Sequence, residues 1–347
     1  MAVAGANGKL GLLICERLLA LSANVNAIVR TGKTSKELLA LGQKYPKRLN
    51  VVELDYSSYK DVVAAFKGVY TVVSCLLGLE DVIIGTQLEM LKAAIECKVR
   101  RFIPSDFSID IRNLPPGSNR NLENRRIFHF AAGQLIKHSS NPNTNIQVTS
   151  IFQGAFTDNL VLFGALDCKN KTINYFGSPT VKMEYTTWTD TAQYTAFAAL
   201  DPNETPDALC IAGDKVNFLE ITDVAKRITG APFKAKQILP LWVLSRLVIP
   251  ALKLIVPGKP GEVYPMWQGL QYVQNQASGL CIMQTLDNGR YKMEWENIAP
   301  TILQAYKDHQ KLQAKQLALA AGGKSHLNLA IVVLGIFLAV IIKQVFF

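Results

Sequence analysis

The chain has 347 residues, 49% of them apolar and 18% charged, with 37 Lys and Arg against 27 Asp and Glu and a formal net charge of +10. That composition excludes extended disorder and leaves room for about two domains. The basic residues are dispersed, the densest pairs being Lys47-Arg48, Arg100-Arg101 and Arg125-Arg126. Without a basic stripe interleaved with aromatics, nucleic acid is set aside as a partner. The cysteines form no C-x-x-C pair and the histidines lack ligand spacing, so reduced thiols and no metal site are expected.

Met1–Ala4 predicts a short strand, Gly5-Ala-Asn-Gly8-Lys-Leu-Gly11 a tight loop, and Leu12–Ser22 a helix. G-x-x-G-x-x-G between a strand and a helix lets the backbone approach a pyrophosphate, which the helix N-terminus then holds through free N–H groups. Val25–Val29 is a second strand, and Arg30-Thr-Gly-Lys33 follows it. An NAD site carries an acid at that point, whereas a cation suits a 2′-phosphate, so Arg30 and Lys33 favour NADP(H) over NAD(H). Strands at Leu49–Leu54, Thr71–Cys75 and Arg101–Pro104 alternate with helices at Tyr59–Phe66 and Ile83–Cys97. This rhythm predicts a doubly wound parallel sheet, with Arg30, Asp55, Ser74, Leu77 and Ser105 at the carboxyl ends where ligands sit.

Asn121–Lys137 reads as a helix, and short strands are expected at Thr172–Phe176, Lys182–Thr187 and Ala208–Ile211. Asp190 is the expected N-cap of a helix over 191–200, and Thr222-Asp223 starts another over 224–229. Ile238–Pro257 is apolar but interrupted by Pro240, Arg246, Pro250 and Lys253. Its readings are an interfacial helix, an apolar lid or a wall of the second lobe. Residues 304–326 read as a polar helical stalk. Residues 327–347 are almost wholly apolar, and at roughly 1.5 Å per residue a helix there spans about 31 Å. A single C-terminal transmembrane helix is therefore expected, with flanking lysines keeping the main domain on the cytosolic side of a membrane. The expected fold class is α/β. Its parts are a doubly wound Rossmann domain over 1–156, a smaller α+β substrate lobe over 157–303 with segments returning to the Rossmann core, the stalk, and the anchor.

Gly5-x-x-Gly8-x-x-Gly11, Val29-Arg30 and above all Arg101-Phe-Ile-Pro-Ser-Asp-Phe107 resemble the NmrA-like, isoflavone-reductase-like atypical short-chain dehydrogenases. Ile151–Phe156, Tyr264–Gly269 and Leu286–Tyr291 resemble further segments of that family. The resemblance covers about residues 1–300 and implies an NADP(H) cofactor. The loop Gly5, Asn7, Gly8, Lys9, Leu10 and Gly11 would hold the pyrophosphate, and Arg30 with Lys33 the 2′-phosphate. Leu76, Leu77 and Gly78 would line the ribose and nicotinamide path, with Asp55 and Ser105 at neighbouring strand ends and Gln153, Gly154 and Phe156 near the nicotinamide.

The proton donor departs from the family pattern. The one Tyr-x-x-x-Lys, Tyr56 to Lys60, follows the third strand, where it is out of place. Reductases of this family carry a lysine early in the helix before the sixth strand. Here that register meets Ile127, Phe128 or His129, with Arg125, Arg126 and His129 the nearest bases and Lys137 two turns later. His129, Arg126 and Lys137 are the catalytic candidates, His129 because it titrates near neutrality. Two functions stay open: a membrane-anchored NADP(H)-dependent reductase of a small apolar carbonyl, enone or quinone, and a non-catalytic NADP(H)-binding regulator tethered to a membrane.

Overall fold

The computed structural model describes residues 1–139 and 145–321. Six parallel strands form the central sheet: β1 (Ala2–Ala4), β2 (Val25–Arg30), β3 (Leu49–Leu54), β4 (Thr71–Ser74), β5 (Arg101–Ile103) and β6 (Gln147–Val148), in the order β3-β2-β1-β4-β5-β6. This is the doubly wound Rossmann order, whose direction reverses between β1 and β4 and opens a crevice there. The connecting helices are α1 (Lys9–Ala20), α2 (Lys36–Lys44), α3 (Tyr59–Phe66), α4 (Gln87–Glu96) and α5 (Arg120–Lys137). A π-helical turn at Asp81–Thr86 leads into α4.

Strand alternation sorts the core into two layers. Val3 of β1 joins Ile14, Leu18 and the alanines of a later helix on one face. Ala2 and Ala4 join Phe66, Met90, Leu91 and Phe128 on the other. Short β1 suffices because both of its faces are fully covered, as a central parallel strand requires.

Beyond β6 the chain forms β7 (Ser150–Phe152), β8 (Ala155–Phe156), α6 (Asn159–Leu162), β9 (Leu166–Asp167), β10 (Thr172–Phe176) and β11 (Met183–Thr186). Helix α7 (Trp188–Leu200), β12 (Ala208–Cys210), β13 (Asp214–Val216), α8 (Phe218–Thr229) and β14 (Lys234–Leu239) follow. Two small sheets, β14-β10-β9 and β13-β11-β8, make the second lobe around Ile173, Phe218, Ile221 and Phe233. Helix α7 instead packs its alanine face on α1 in the Rossmann core. Residues 287–295 also return there: Asp287 accepts the Cys210 N–H, and Arg290 pairs with Asp201.

Two helix starts differ from expectation. Thr187, not Asp190, caps α7 by accepting the Asp190 N–H; the Asp190 carboxylate instead takes the Glu296 N–H. Helix α8 begins well before Thr222, because Asn217 and Glu220 form a reciprocal capping box.

Residues 241–255 are helical: α9 (Leu241–Val243), a π-helical turn over Leu244–Val248, and α10 (Ile249–Ile255). Then come α11 (Met266–Ala277) and α12 (Ala299–Ala321). The expected transmembrane helix and membrane location are corrected. Among the described residues no helix is long and apolar enough to cross a membrane. Helix α12 carries Lys307, Asp308, Lys311 and Lys315, and the 241–255 run is broken by charges and a π-turn. Segment 327–347, on which the expectation rested, lies outside the described residues.

Candidate active site

The crevice between β1 and β4 is floored by the glycine loop. Gly5 has φ +77°, and a Cβ there would sit 2.6 Å from the Cys75 carbonyl oxygen, so only glycine fits. A Cβ on Gly11 would overlap the Gly5 carbonyl, which lets α1 start directly against the loop. Gly8 is the N-cap of α1; no side chain caps that end and its first turn holds no acid. The first-turn N–H groups of Lys9, Leu10 and Gly11 therefore face an open anion position, which fits a dinucleotide pyrophosphate. Leu10 itself is buried in the core, while Lys9 is exposed and pairs with Asp158 at 3.0 Å while lying over the Trp188 ring.

The loop after β2 is shaped from both sides. Asn7 donates to the Lys33 carbonyl and accepts the Ser35 N–H at 3.0 Å. Glu53 on β3 accepts the Gly32 N–H and the Thr34 hydroxyl, and these bonds hold its carboxyl below the usual range. Arg30 and Lys33 stand exposed at this end of β2. Asp55 closes a turn by accepting the Ser57 N–H, which likewise lowers its pKa.

The far side of the crevice is built by the ends of β4 and β5. Ser105 donates its hydroxyl to the Leu76 carbonyl at 2.7 Å. Gln87 is fully buried; its carbonyl accepts the Ser105 N–H, and its amide donates to Ile83 of the π-turn. Leu77 is half exposed, and Gly78 lies so close to Val82 that a side chain would collide with it. Arg125 of α5, 5% exposed, donates Nε to the Ser105 carbonyl at 2.9 Å and Nη1 to Asn121. The Tyr264 hydroxyl hydrogen-bonds with Tyr272; burial drives its pKa well above the usual value, and the Arg125 charge acts against that. Buried Gln153 donates to the Gly154 carbonyl, Gly154 has φ +73° against Glu184, and Phe156 stacks on Trp188 at 3.5 Å.

The profile of the NmrA-like family matches residues 1–256. The chain belongs to the NmrA-like family. Pinoresinol reductase 1 of Arabidopsis thaliana is 29% identical over 191 residues, which cover 52% of this chain and 58% of that protein. The chain thus spans little more than half the length of that curated relative. The solved structure of AtPrR2 with NADP+ and (+)pinoresinol superposes with a TM-score of 0.65 at 19% identity, covering 88% of this chain and 97% of the other. The NADPH complex of the quinone oxidoreductase QOR2 from Escherichia coli gives 0.64 at 15% identity, covering 88% and 99%. At these identities the two structures establish the Rossmann architecture.

In this NmrA-like chain two of the three expected catalytic side chains are held by protein partners, and the third is exposed. His129 pairs with buried Asp106 through Nε2, and the Ser150 hydroxyl bonds both, 2.9 Å from Asp106 and 3.2 Å from His129. Both contacts use the same ring nitrogen, so the trio lacks the two-sided histidine of a hydrolase triad. Arg126 is bound to Glu123 and to the Ile111 and Leu114 carbonyls. Lys137 is exposed at the end of α5, where a cation complements the helix dipole. The base that reaches Ser105 is Arg125, one residue and about 100° of helix before Arg126. The sequence signal for it was the buried stripe Leu122, Arg125, Phe128, Ala132 at helical spacing.

Proposed function

We propose that this NmrA-like protein is an NADP(H)-dependent oxidoreductase that reduces a small apolar acceptor of the quinone or enone type. The observation that carries the reading is the uncapped glycine cradle together with Arg30 and Lys33 where an NAD site has a carboxylate. The relatives named above include reductases, and NADP+ or NADPH is bound in both solved structures. When bound, the nicotinamide supplies a hydride. The residues here supply charge and a proton. Arg125, reaching the Ser105 carbonyl from α5, would supply positive charge toward a developing oxyanion. Tyr264, whose pKa burial raises and which feels the Arg125 charge, is the O–H this reading assigns as proton donor. Such a site favours acceptors whose reduction leaves a delocalised, weakly basic oxyanion. A hydroquinone anion or an enolate qualifies; an alkoxide does not.

The test is NADPH and NADH oxidation by the full chain with a naphthoquinone, a cyclic enone and the corresponding saturated ketone. Turnover with NADPH on the first two and not the third supports the reading. Tight NADPH binding without turnover on any acceptor replaces it with the regulator. No binding of either cofactor removes both.

A further inference from the structure

The His129–Asp106–Ser150 cluster does not serve the cofactor crevice. Its His129 and Ser150 line a separate open cavity of about 950 Å³ on the flank of α5, bounded also by Gln147, Val148, Phe152 and residues 204, 205, 207 and 208. None of the glycine loop, Leu76–Gly78, Ser105, Arg125 or Tyr264 lines it. The volume is that of a small-molecule site.

Three features mark the cavity as built. First, its wall is rich in charge: Arg100, Arg112, Arg126 and His129 line it together with Glu204 and Asp207. The Asp110 carboxylate grips Arg112 through Nε and Nη2 at 2.9 and 2.7 Å, holding the guanidinium over the Phe152 ring. With Nε and Nη2 taken by Asp110, the guanidinium has its Nη1 donors left for a ligand carboxylate beside an aromatic face. Second, Asp106 is wholly buried and one of its oxygens, Oδ1, has no partner among the described residues, yet 30% of the His129 side chain remains open. Burial pulls the His129 imidazole down, but the charge and hydrogen bond of Asp106 outweigh it and leave the ring more basic than usual. A perturbed titratable group in a cleft outside the main site is a marker of function. Third, Gly133 lines the cavity in the middle of α5, and a Cβ there would meet nothing within 4 Å. A mid-helix glycine costs about 0.5–1 kcal/mol relative to alanine. No packing contact and no positive φ requires glycine here, so a larger side chain can be introduced at this position of the cavity wall.

We propose that this cavity is a second ligand site of the protein and takes a small organic acid, a carboxylate on a flat apolar frame. The carboxylate meets Arg112 and His129, and the frame lies along Phe152 and Val148. Helix α5 connects the site to the crevice, since Arg125 and His129 are one turn apart and Asp106 follows Ser105 in the chain.

The probe is 2-naphthoate, titrated by calorimetry into the full chain saturated with NADPH. The expected result is one saturable event in the presence of the cofactor. Arg112→Gln should weaken it about tenfold, the value of one charge-assisted hydrogen bond. Gly133→Phe, which fills the cavity from an unobstructed position, should abolish it. NADPH affinity, read from nicotinamide fluorescence, should be unchanged in both variants, and their melting temperatures report folding. Binding that NADPH displaces, binding indifferent to Gly133→Phe, or no binding at millimolar probe would each overturn the proposal. These readouts do not involve turnover, so they stand apart from the reductase reading.

Discussion

Replacing Gly5 with alanine tests the cradle most sharply. A non-glycine residue at a left-handed φ costs about 1–2 kcal/mol. At φ +77° the new Cβ also lies 2.6 Å from the Cys75 carbonyl oxygen and 2.9 Å from its carbon, against ordinary contact beyond 3.4 Å. Both atoms are backbone of the segment leaving β4, so β1 and β4 must part by most of an ångström. Overpacking of that kind costs about 1–3 kcal/mol, and the two effects together reach about 3 kcal/mol, a large share of a typical domain's stability. Gly8→Ala is the contrast: φ is −72°, and the Cβ meets only the Gly5 oxygen at 3.3 Å. Urea unfolding monitored by tryptophan fluorescence, with NADPH titration of whatever remains folded, reads both. The expectation is a loss near 3 kcal/mol for Gly5→Ala. Gly8→Ala should lose under about 1 kcal/mol of stability yet bind NADPH more weakly, because it adds a methyl group at the N-cap of α1, where the pyrophosphate would approach the backbone. A Gly5→Ala protein as stable as the parent, or a Gly8→Ala protein with unchanged NADPH affinity, would refute the geometry.

Three further outcomes are expected. Arg101 is fully buried and makes five hydrogen bonds, to Ala198, Asp201, Asn203, Gln147 and Thr205, so Arg101→Met should cost at least about 3 kcal/mol in urea unfolding. Gln87→Leu strips the Ser105 N–H of its acceptor, and should raise the KM for NADPH more than it lowers kcat. The raised pKa of His129 means its protonation stabilises the fold fully below the unfolded imidazole value of about 6.5 and ceases to as pH climbs through the higher folded value. The melting-temperature gap between the parent and His129→Gln should therefore be wider in mildly acidic than in mildly alkaline buffer.

What could be read from the sequence was what local pattern controls. Leu49–Leu54 and Tyr59–Phe66 have the expected bounds, a short β-branched apolar run and an amphipathic run separated by a polar turn. The parallel doubly wound sheet and the glycine loop follow from the same strand–loop–helix spacing. Helix starts went astray where two candidate caps stood close together, as at Thr187 and Asp190. Which base of α5 reaches Ser105 was harder to read. Choosing among Arg125, Arg126 and His129 required the rotation of α5 against β5, which packing of Phe128 and Ala132 on the core decides. The meeting of Asp106, His129 and Ser150 joins residues up to 44 apart and depends on β5, α5 and β7 together, so no local spacing announces it. The anchor was inferred from hydropathy alone, and the described helices give it no support.

The central claim is a crevice made for a dinucleotide carrying a 2′-phosphate. It is tested most directly by titrating the full chain with NADPH and with NADH, for the parent and for Arg30→Ala, following nicotinamide fluorescence. The account predicts tighter binding of NADPH by more than about tenfold, with Arg30→Ala removing about tenfold of that preference, as one charged hydrogen bond would. Equal affinities in the parent, or a preference indifferent to Arg30, would contradict it.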